Sequence, residues 1–484
     1  MESAIGYEKE LKNYIDNERA AVKLANFVGE LLYDKGIELV LFRNHLLDIT
    51  NSEIINLHNY AEKVVGKVIY ITTTSALAEE IYKMDLSPAK IDIGLLAHEW
   101  IQEGDNYKTK ADFLNDKLSG LLLENSNHAF EPRDVVLYGF GRIGRLAARE
   151  LVKQAGKGQQ LRLRAIVTRN ASDDQITKRA ALLRNDSVHG EFKGTVEVDY
   201  ENKTLVINGQ RIKMIEAKNP EDVDYTQYGI DNALVIDNTG VFKDKEALGR
   251  HRQAKGVSRV LLTAPGSGIP NIVYGINHFD LDLEENHIFS AASCTTNAIS
   301  PVLKVINDKY GVEKGHIETV HAYTNDQNLL DNMHKKPRRG RSAAINMVIT
   351  STGAGKAVTK VIPDLANKLT ANAVRVPTPN GSLAIMNLTV GKETTVEEVN
   401  QAVKDAALNG NLVNQIFYSV DPEMVSNDII GNTCCSVYDA PATIVSPDGK
   451  NIVLYTWYDN EYGYTKQVIR LAKHISKVRR LIYY

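Results

Sequence analysis

The 484-residue chain predicts an α/β protein in three parts: a mainly α-helical N-terminal domain, a doubly wound parallel sheet, and an α+β domain. Three observations carry this. Residues 1 to about 128 are rich in Glu, Lys, Leu and Ala and set apolar residues at helical spacing, as in Leu24, Phe27, Val28 and Leu31. From "RDVVLYGFGRIGR" onward, short β-branched runs alternate with helical or polar stretches, the rhythm of a parallel sheet covered on both faces. Beyond residue 293 a helical stretch leads into longer β-rich segments.

Taken in order, the N-terminal domain spans residues 1–128 and has no Gly-rich loop. The change of pattern marks a boundary near residue 129. The second domain, 129–293, carries the runs "LRAIV", "NALVI", "RVLLTA" and "NIVYGI" as expected strands. The third, 294–459, opens with the helix "TNAISPVLKVINDKY" and continues through "HIETVHAY", "NAVRVP", "SLAIMNLTV" and "NIVLYTWY". An amphipathic helix from about Tyr464 closes the chain, so that 460–484 returns to the second domain.

Composition narrows the function. Lys plus Arg, 57, nearly balance 60 Asp plus Glu, and a net charge of -3 gives no general pull toward nucleic acid or an anionic membrane. Small molecules and other subunits are the expected partners. No apolar run approaches the ~18 residues that would span a bilayer, and Met1 is not followed by a signal-like segment. The expected location is cytoplasmic. The three cysteines, Cys294, Cys434 and Cys435, have neither a disulfide framework nor zinc-site spacing. His98-Glu99 lacks the second histidine of HExxH, since Gln102 stands four residues beyond His98, and no metal is expected.

Gly139-x-Gly141-x-x-Gly144 lies between a predicted strand and a predicted helix. In a dinucleotide-binding turn of a Rossmann-type sheet, the first glycine permits the tight turn and the second lets backbone approach a pyrophosphate. The third allows close packing of helix on strand. An acid about 20 residues on would hold the ribose 2'-hydroxyl of NAD, yet the second strand ends in Arg169, Asn170, Ala171 and Ser172. Arg169 there would pair with the 2'-phosphate of NADP, and the reading leans to NADP; the alternative is that Asp173 swings back and holds NAD.

Cys294 opens a predicted helix in "SCTTN", where the positive end of the macrodipole favours a thiolate. His321 ends the next predicted strand, and parallel strands joined by one helix would bring the two to the same sheet edge. Spacing alone favours plainer alternatives, a buried inert thiol and a satisfied core histidine.

The motifs "GFGRIGR", "NDSVHG", "NTGVF", "SCTTN", "VHAYTNDQ", "STGAGKAVTKVIPDL", "VRVPTPN" and "WYDNEYGY" occur in the order of the phosphorylating glyceraldehyde-3-phosphate dehydrogenases, and residues 130–484 resemble that family. The resemblance implies that Cys294 attacks the aldehyde of glyceraldehyde 3-phosphate and that His321 serves as its acid and base. Hydride leaves for NAD or NADP, and inorganic phosphate cleaves the thioester to 1,3-bisphosphoglycerate, in glycolysis or gluconeogenesis. It further implies that Gly139, Gly141, Arg142, Ile143, Gly144, Arg169, Thr239, Gly240, Thr263 and Asn460 hold the cofactor, with Asn460 on the nicotinamide amide. Ser293, Thr295, Thr352 and Gly353 would receive inorganic phosphate, and Thr324, Asp326 and Arg375 the substrate phosphate, Asp326 orienting Arg375. A homotetramer is implied as well.

Departures from the family are also legible. Ala298 replaces the second cysteine of "SCTTNC", about five extra residues near "KQAGKGQQ" lengthen the first crossover, and the basic run "KKPRRGR" falls in the loop expected near a neighbouring subunit's cofactor. The N-terminal 128 residues have no counterpart in ordinary members. Two other functions stay open: a related erythrose-4-phosphate dehydrogenase, and a regulatory or interaction protein built on a retained dehydrogenase body.

Overall fold

The computed structural model describes residues 2–126 and 131–484 and divides the chain into two compact units. The boundary expected near 129 falls within residues 127–130, outside the described residues. Among the described residues no helix is long and apolar enough to cross a membrane.

The first unit comprises residues 1–131, 155–160 and 478–484. It is mainly helical, as expected. Helix Glu2–Glu30 buries Leu24 and Val28, and Leu31 follows in the π turn Leu31–Lys35. Gly36 then reverses the chain at φ 69, a conformation open to glycine, and a Cβ there would meet Gln159 Oε1 at 2.3 Å. Helical periodicity did not disclose a four-stranded sheet ordered Asn44–His45, Glu38–Leu41, Ala89–Asp92, Leu481–Tyr483. Its strands are four residues or shorter, and the fourth comes from the far end of the chain.

Charge ties that last strand in. Arg480 is buried, donates from Nε to Gly36 O at 2.9 Å and pairs with Glu38 at 3.1 Å; Lys90 and His45 reach the same carboxylate at 3.2 and 2.8 Å. Lys157 donates to Asp34 O and Gln160 to Val478 O. The extra crossover residues therefore belong to the N-terminal unit.

The second unit, residues 132–154 and 161–477, holds two large sheets. One runs Ile288–Ser290, Val257–Leu262, Ala233–Asp237, Arg133–Tyr138, Leu161–Thr168, Gln210–Glu216, Thr204–Ile207, Val196–Asp199. The first six are parallel, in the order of a doubly wound Rossmann-type sheet, and the last two form an antiparallel meander. "NIVYGI" is not a strand. Ile272 and Val273 are buried there, but only Asn271 bridges to Ser290 before the chain turns.

The other sheet is mixed and seven-stranded along its main path, with Val312–Ala322 between Leu369–Val376, parallel, and Ser382–Val390, antiparallel. Helix Cys294–Tyr310 connects the two sheets. Helix Tyr462–Ile475 packs on helix Arg142–Lys153 through a buried pair, Lys466 to Glu150 at 2.5 Å, to which the Tyr462 hydroxyl donates at 3.1 Å.

Candidate active site

The glycine turn is shaped for a nucleotide. Gly139 sits at φ 92, where a Cβ would meet Thr239 Cγ2 at 3.0 Å, and a Cβ on Gly144 would lie 2.5 Å from Gly139 O. Gly141 caps helix Arg142–Lys153, and nothing lies within 4 Å of the Cβ it lacks. That open space beside unspent N–H groups at a helix N-terminus fits a pyrophosphate.

Arg142 reaches the turn only through backbone. Its guanidinium is held by Asp186 at 2.9 and 3.0 Å and by Glu461 at 2.5 and 2.6 Å, and these carboxylates push its pKa up. Ile143 follows it in the first helical turn. Thr239 and Thr263 gather on the central strand end: Thr239 donates from N and Oγ1 to Asp237 Oδ1 at 2.8 and 2.7 Å, and Thr263 donates from Oγ1 to Asp237 O at 3.0 Å. Gly240 lies beside them at φ 66. Arg169 begins the loop after strand Leu161–Thr168 and is exposed.

Ser293 caps helix Cys294–Tyr310, its Oγ accepting from Thr296 N at 3.0 Å, so Cys294 is the first helical residue. Cys294 Sγ lies 3.6 Å from His321 Nε2. The expectation that both stand on one sheet edge is corrected: the helix leaves the Rossmann-type sheet and His321 belongs to the second sheet. A 17-residue helix, about 25 Å long, carries the chain from one layer to the other.

On the other ring nitrogen two partners compete. His321 Nδ1 is 2.7 Å from Ala322 O and 2.9 Å from Arg375 Nη1, which also donates to Ala322 O at 2.8 Å. With the proton on Nδ1, the ring donates to Ala322 O and leaves Nε2 to accept from the thiol. With Arg375 donating to Nδ1, Nε2 carries the proton and points it at Sγ. Burial first, then Arg375, holds His321 down to about 3. Burial pushes the Cys294 thiol up, against the opposing pull of Arg375 and of the Thr295 hydroxyl and amide.

Thr295 is buried and its Oγ1 meets the Tyr458 hydroxyl at 3.0 Å. Thr352 Oγ1 accepts from Ala354 N at 3.2 Å, and exposed Gly353 opens helix Ala354–Val361. Thr324 lies in the loop beyond Ala322. Asp326 does not orient Arg375; it pairs with Arg339, whose Nε donates to Thr350 Oγ1 at 3.0 Å. Arg339, hidden in sequence within a basic run, thus lies inside the electrostatic reach of His321 and Arg375. Arg375 Nε is buried without a partner among the described residues, a donor left over for an anion.

Asn460 is buried and joins the histidine strand through Ser382. Ala322 N donates to Ser382 Oγ at 3.0 Å, and that hydroxyl donates to Asn460 Oδ1 at 2.8 Å. The amide's Nδ2 donors remain, as a nicotinamide carbonyl requires. Tyr458 and Ser382 were not singled out from sequence; both are buried polar residues in apolar strands, a signal that periodicity overlooks.

The doubly wound sheet and this site define an oxidoreductase that uses a nucleotide cofactor. Residues 133–245 match the model of the glyceraldehyde 3-phosphate dehydrogenase NAD binding domain, and residues 293–460 that of the C-terminal domain. The chain belongs to the glyceraldehyde-3-phosphate dehydrogenase family. It is 46% identical over 454 residues, 93% of this chain and 98% of the relative, to the "Glyceraldehyde-3-phosphate dehydrogenase-like protein" of Pseudomonas aeruginosa. It is 44% identical over 345 residues to glyceraldehyde-3-phosphate dehydrogenase 2 of Trichormus variabilis, covering 71% of this chain and 98% of that one. With the Clostridium pasteurianum enzyme the figures are 41% over 351 residues, 72% and 99%. The Pseudomonas relative is thus similar over much of the N-terminal unit as well.

Proposed function

We propose that the chain is a phosphorylating glyceraldehyde-3-phosphate dehydrogenase with Cys294 as nucleophile and His321 as its acid and base. The observation that carries this is the 3.6 Å approach of Cys294 Sγ to His321 Nε2, backed by Arg375 on the opposite ring nitrogen.

The residues divide the work. His321 Nε2 takes the thiol proton as Sγ bonds to the aldehyde carbon, and the resulting alkoxide is protonated to a hemithioacetal. A bound nicotinamide supplies the hydride acceptor, with Gly139, Gly141, Gly144, Thr239, Gly240 and Asn460 holding the dinucleotide. His321 receives the hydroxyl proton as the thioester forms. Inorganic phosphate then attacks the thioester carbon, and the Cys294 thiolate leaves, giving the acyl phosphate.

Anions complete the site. Arg375 and Arg339, with Thr324, suit the substrate phosphate; Ser293, Thr352, Gly353 and the Thr295 amide suit inorganic phosphate. Burial is the larger cause of the depressed His321 and the arginines the smaller, so an anion held by Arg375 and Arg339 offsets only their share. The chain works as an assembly of identical copies, proposed as a homotetramer: Leu329, Leu330, Met333, Ile345 and Met347 stand exposed along one loop, Met333 at 92%.

The test is an assay of purified protein with glyceraldehyde 3-phosphate or erythrose 4-phosphate, each with and without inorganic phosphate, following reduced nicotinamide. Phosphate-dependent turnover that favours the three-carbon aldehyde and vanishes in Cys294→Ala is expected. Equal turnover in that variant overturns the assignment.

A further inference from the structure

The end of strand Leu161–Thr168, where the adenosine ribose of a dinucleotide lies in a doubly wound sheet, has no acid of its own. The neighbouring strand brings one there. Glu216 is the last residue of Gln210–Glu216 and stands in register with Thr168 across a parallel ladder. Its Oε2 accepts from Ala171 N at 3.0 Å, so the carboxylate crosses from its own strand onto the loop that follows the other.

The surroundings leave the second oxygen available. Glu216 is exposed, and its Oε1 has no hydrogen bond among the described residues. Of the acids further along, Asp174 pairs with Lys178 at 2.6 Å, and Asp173 begins helix Asp173–Arg184 with its side chain exposed. Arg169 is exposed and makes no ion pair among the described residues.

We propose that Glu216 replaces the missing strand acid, holds the adenosine ribose 2'-hydroxyl, and selects NAD against NADP. This rests on the dinucleotide reading given above. A carboxylate oxygen accepts readily from a hydroxyl. A 2'-phosphate in its place sets a charge of about -2 against a carboxylate already anchored to backbone, and the like charges repel. The leaning to NADP drawn from Arg169 weighed only residues that follow the second strand in sequence. Glu216 reaches the same loop from 45 residues further along.

Calorimetric titration with ADP-ribose and 2'-phospho-ADP-ribose tests this without turnover, since neither carries nicotinamide. The wild-type protein is expected to bind ADP-ribose about tenfold more tightly or better, the effect of one hydrogen bond to a charged group. In Glu216→Gln the ratio falls toward one, and in Arg169→Ala the preference for ADP-ribose persists, with circular dichroism confirming that each is folded. A wild-type preference for the 2'-phosphate compound overturns the proposal, as does an unchanged ratio in Glu216→Gln. If that variant fails to fold, the wild-type ratio and Glu216→Asp decide. Failure of the wild-type protein to bind either compound sinks the dinucleotide reading itself.

Discussion

Arg375 Nη1 lies 2.9 Å from His321 Nδ1, on the ring nitrogen opposite the one that faces Cys294. A permanent cation is thereby set behind the imidazole, with its Nε unpartnered among the described residues. Arg375→Ala removes both the cation and an anion donor. For a phosphorylated aldehyde, kcat/KM should fall about 10²-fold, the cost of one or two charged hydrogen bonds, with a smaller loss for unphosphorylated glyceraldehyde. Equal losses for the two aldehydes would place Arg375 outside the phosphate site.

The depressed His321 predicts acid lability. Its unfolded value is the usual ~6.5 and its folded value about 3, so below pH ~6.5 the unfolded chain takes up a proton that the folded one refuses. The contribution is fully present above that pH and is lost as pH falls toward 3. Urea midpoints at pH 7 and pH 5 should therefore drop further in the wild-type protein than in His321→Gln.

Asp326 holds Arg339 rather than Arg375. In Asp326→Asn that guanidinium loses a charged partner at a partly exposed site. A several-fold rise in KM for the phosphorylated aldehyde is expected, with kcat and the KM for inorganic phosphate nearly unchanged. Steady-state kinetics in both substrates decides.

The glycine turn separates two kinds of failure. Gly141→Ala adds a methyl into open space, so thermal stability should stay within about 1 kcal/mol of wild type while dinucleotide affinity falls at least tenfold. Gly144→Ala drives a methyl to 2.5 Å from Gly139 O and should cost stability, by roughly 1–3 kcal/mol. Calorimetry with and without nucleotide reads both.

Arg480 secures the strand that closes the N-terminal sheet. Arg480→Ala leaves Glu38 to Lys90 and His45 alone and strips Gly36 O of its donor. Hydrogen exchange should quicken across Glu38–Leu41, Ala89–Asp92 and Leu481–Tyr483 while the strand Ser382–Val390 keeps its protection. Unchanged exchange in the first three would show that the sheet does not depend on this pair.

The strands Arg133–Tyr138, Leu161–Thr168, Ala233–Asp237, Val257–Leu262, Val312–Ala322, Leu369–Val376, Ser382–Val390 and Asn451–Tyr458, the glycine turn and the placing of Cys294 at a capped helix start were legible in the chain. Each rests on neighbours within a few residues: Gly139, Gly141 and Gly144 form one turn, and Ser293 caps the helix that Cys294 begins. The "NIVYGI" run misled because burial of Ile272 and Val273 needs no ladder. The N-terminal sheet stayed hidden because its members are short and one arrives from the opposite terminus.

The sequence by itself determined the dinucleotide fold, its glycine turn and the start of the helix that Cys294 opens, because backbone preference and short motifs are written by adjacent residues. Only the tertiary structure decided that Asp326 takes Arg339, that Glu216 reaches the loop after strand Leu161–Thr168, and that the terminal strand completes the first sheet. Partner choice and protonation follow from which distant groups meet and how far water is excluded when they do, and neither is encoded in local spacing.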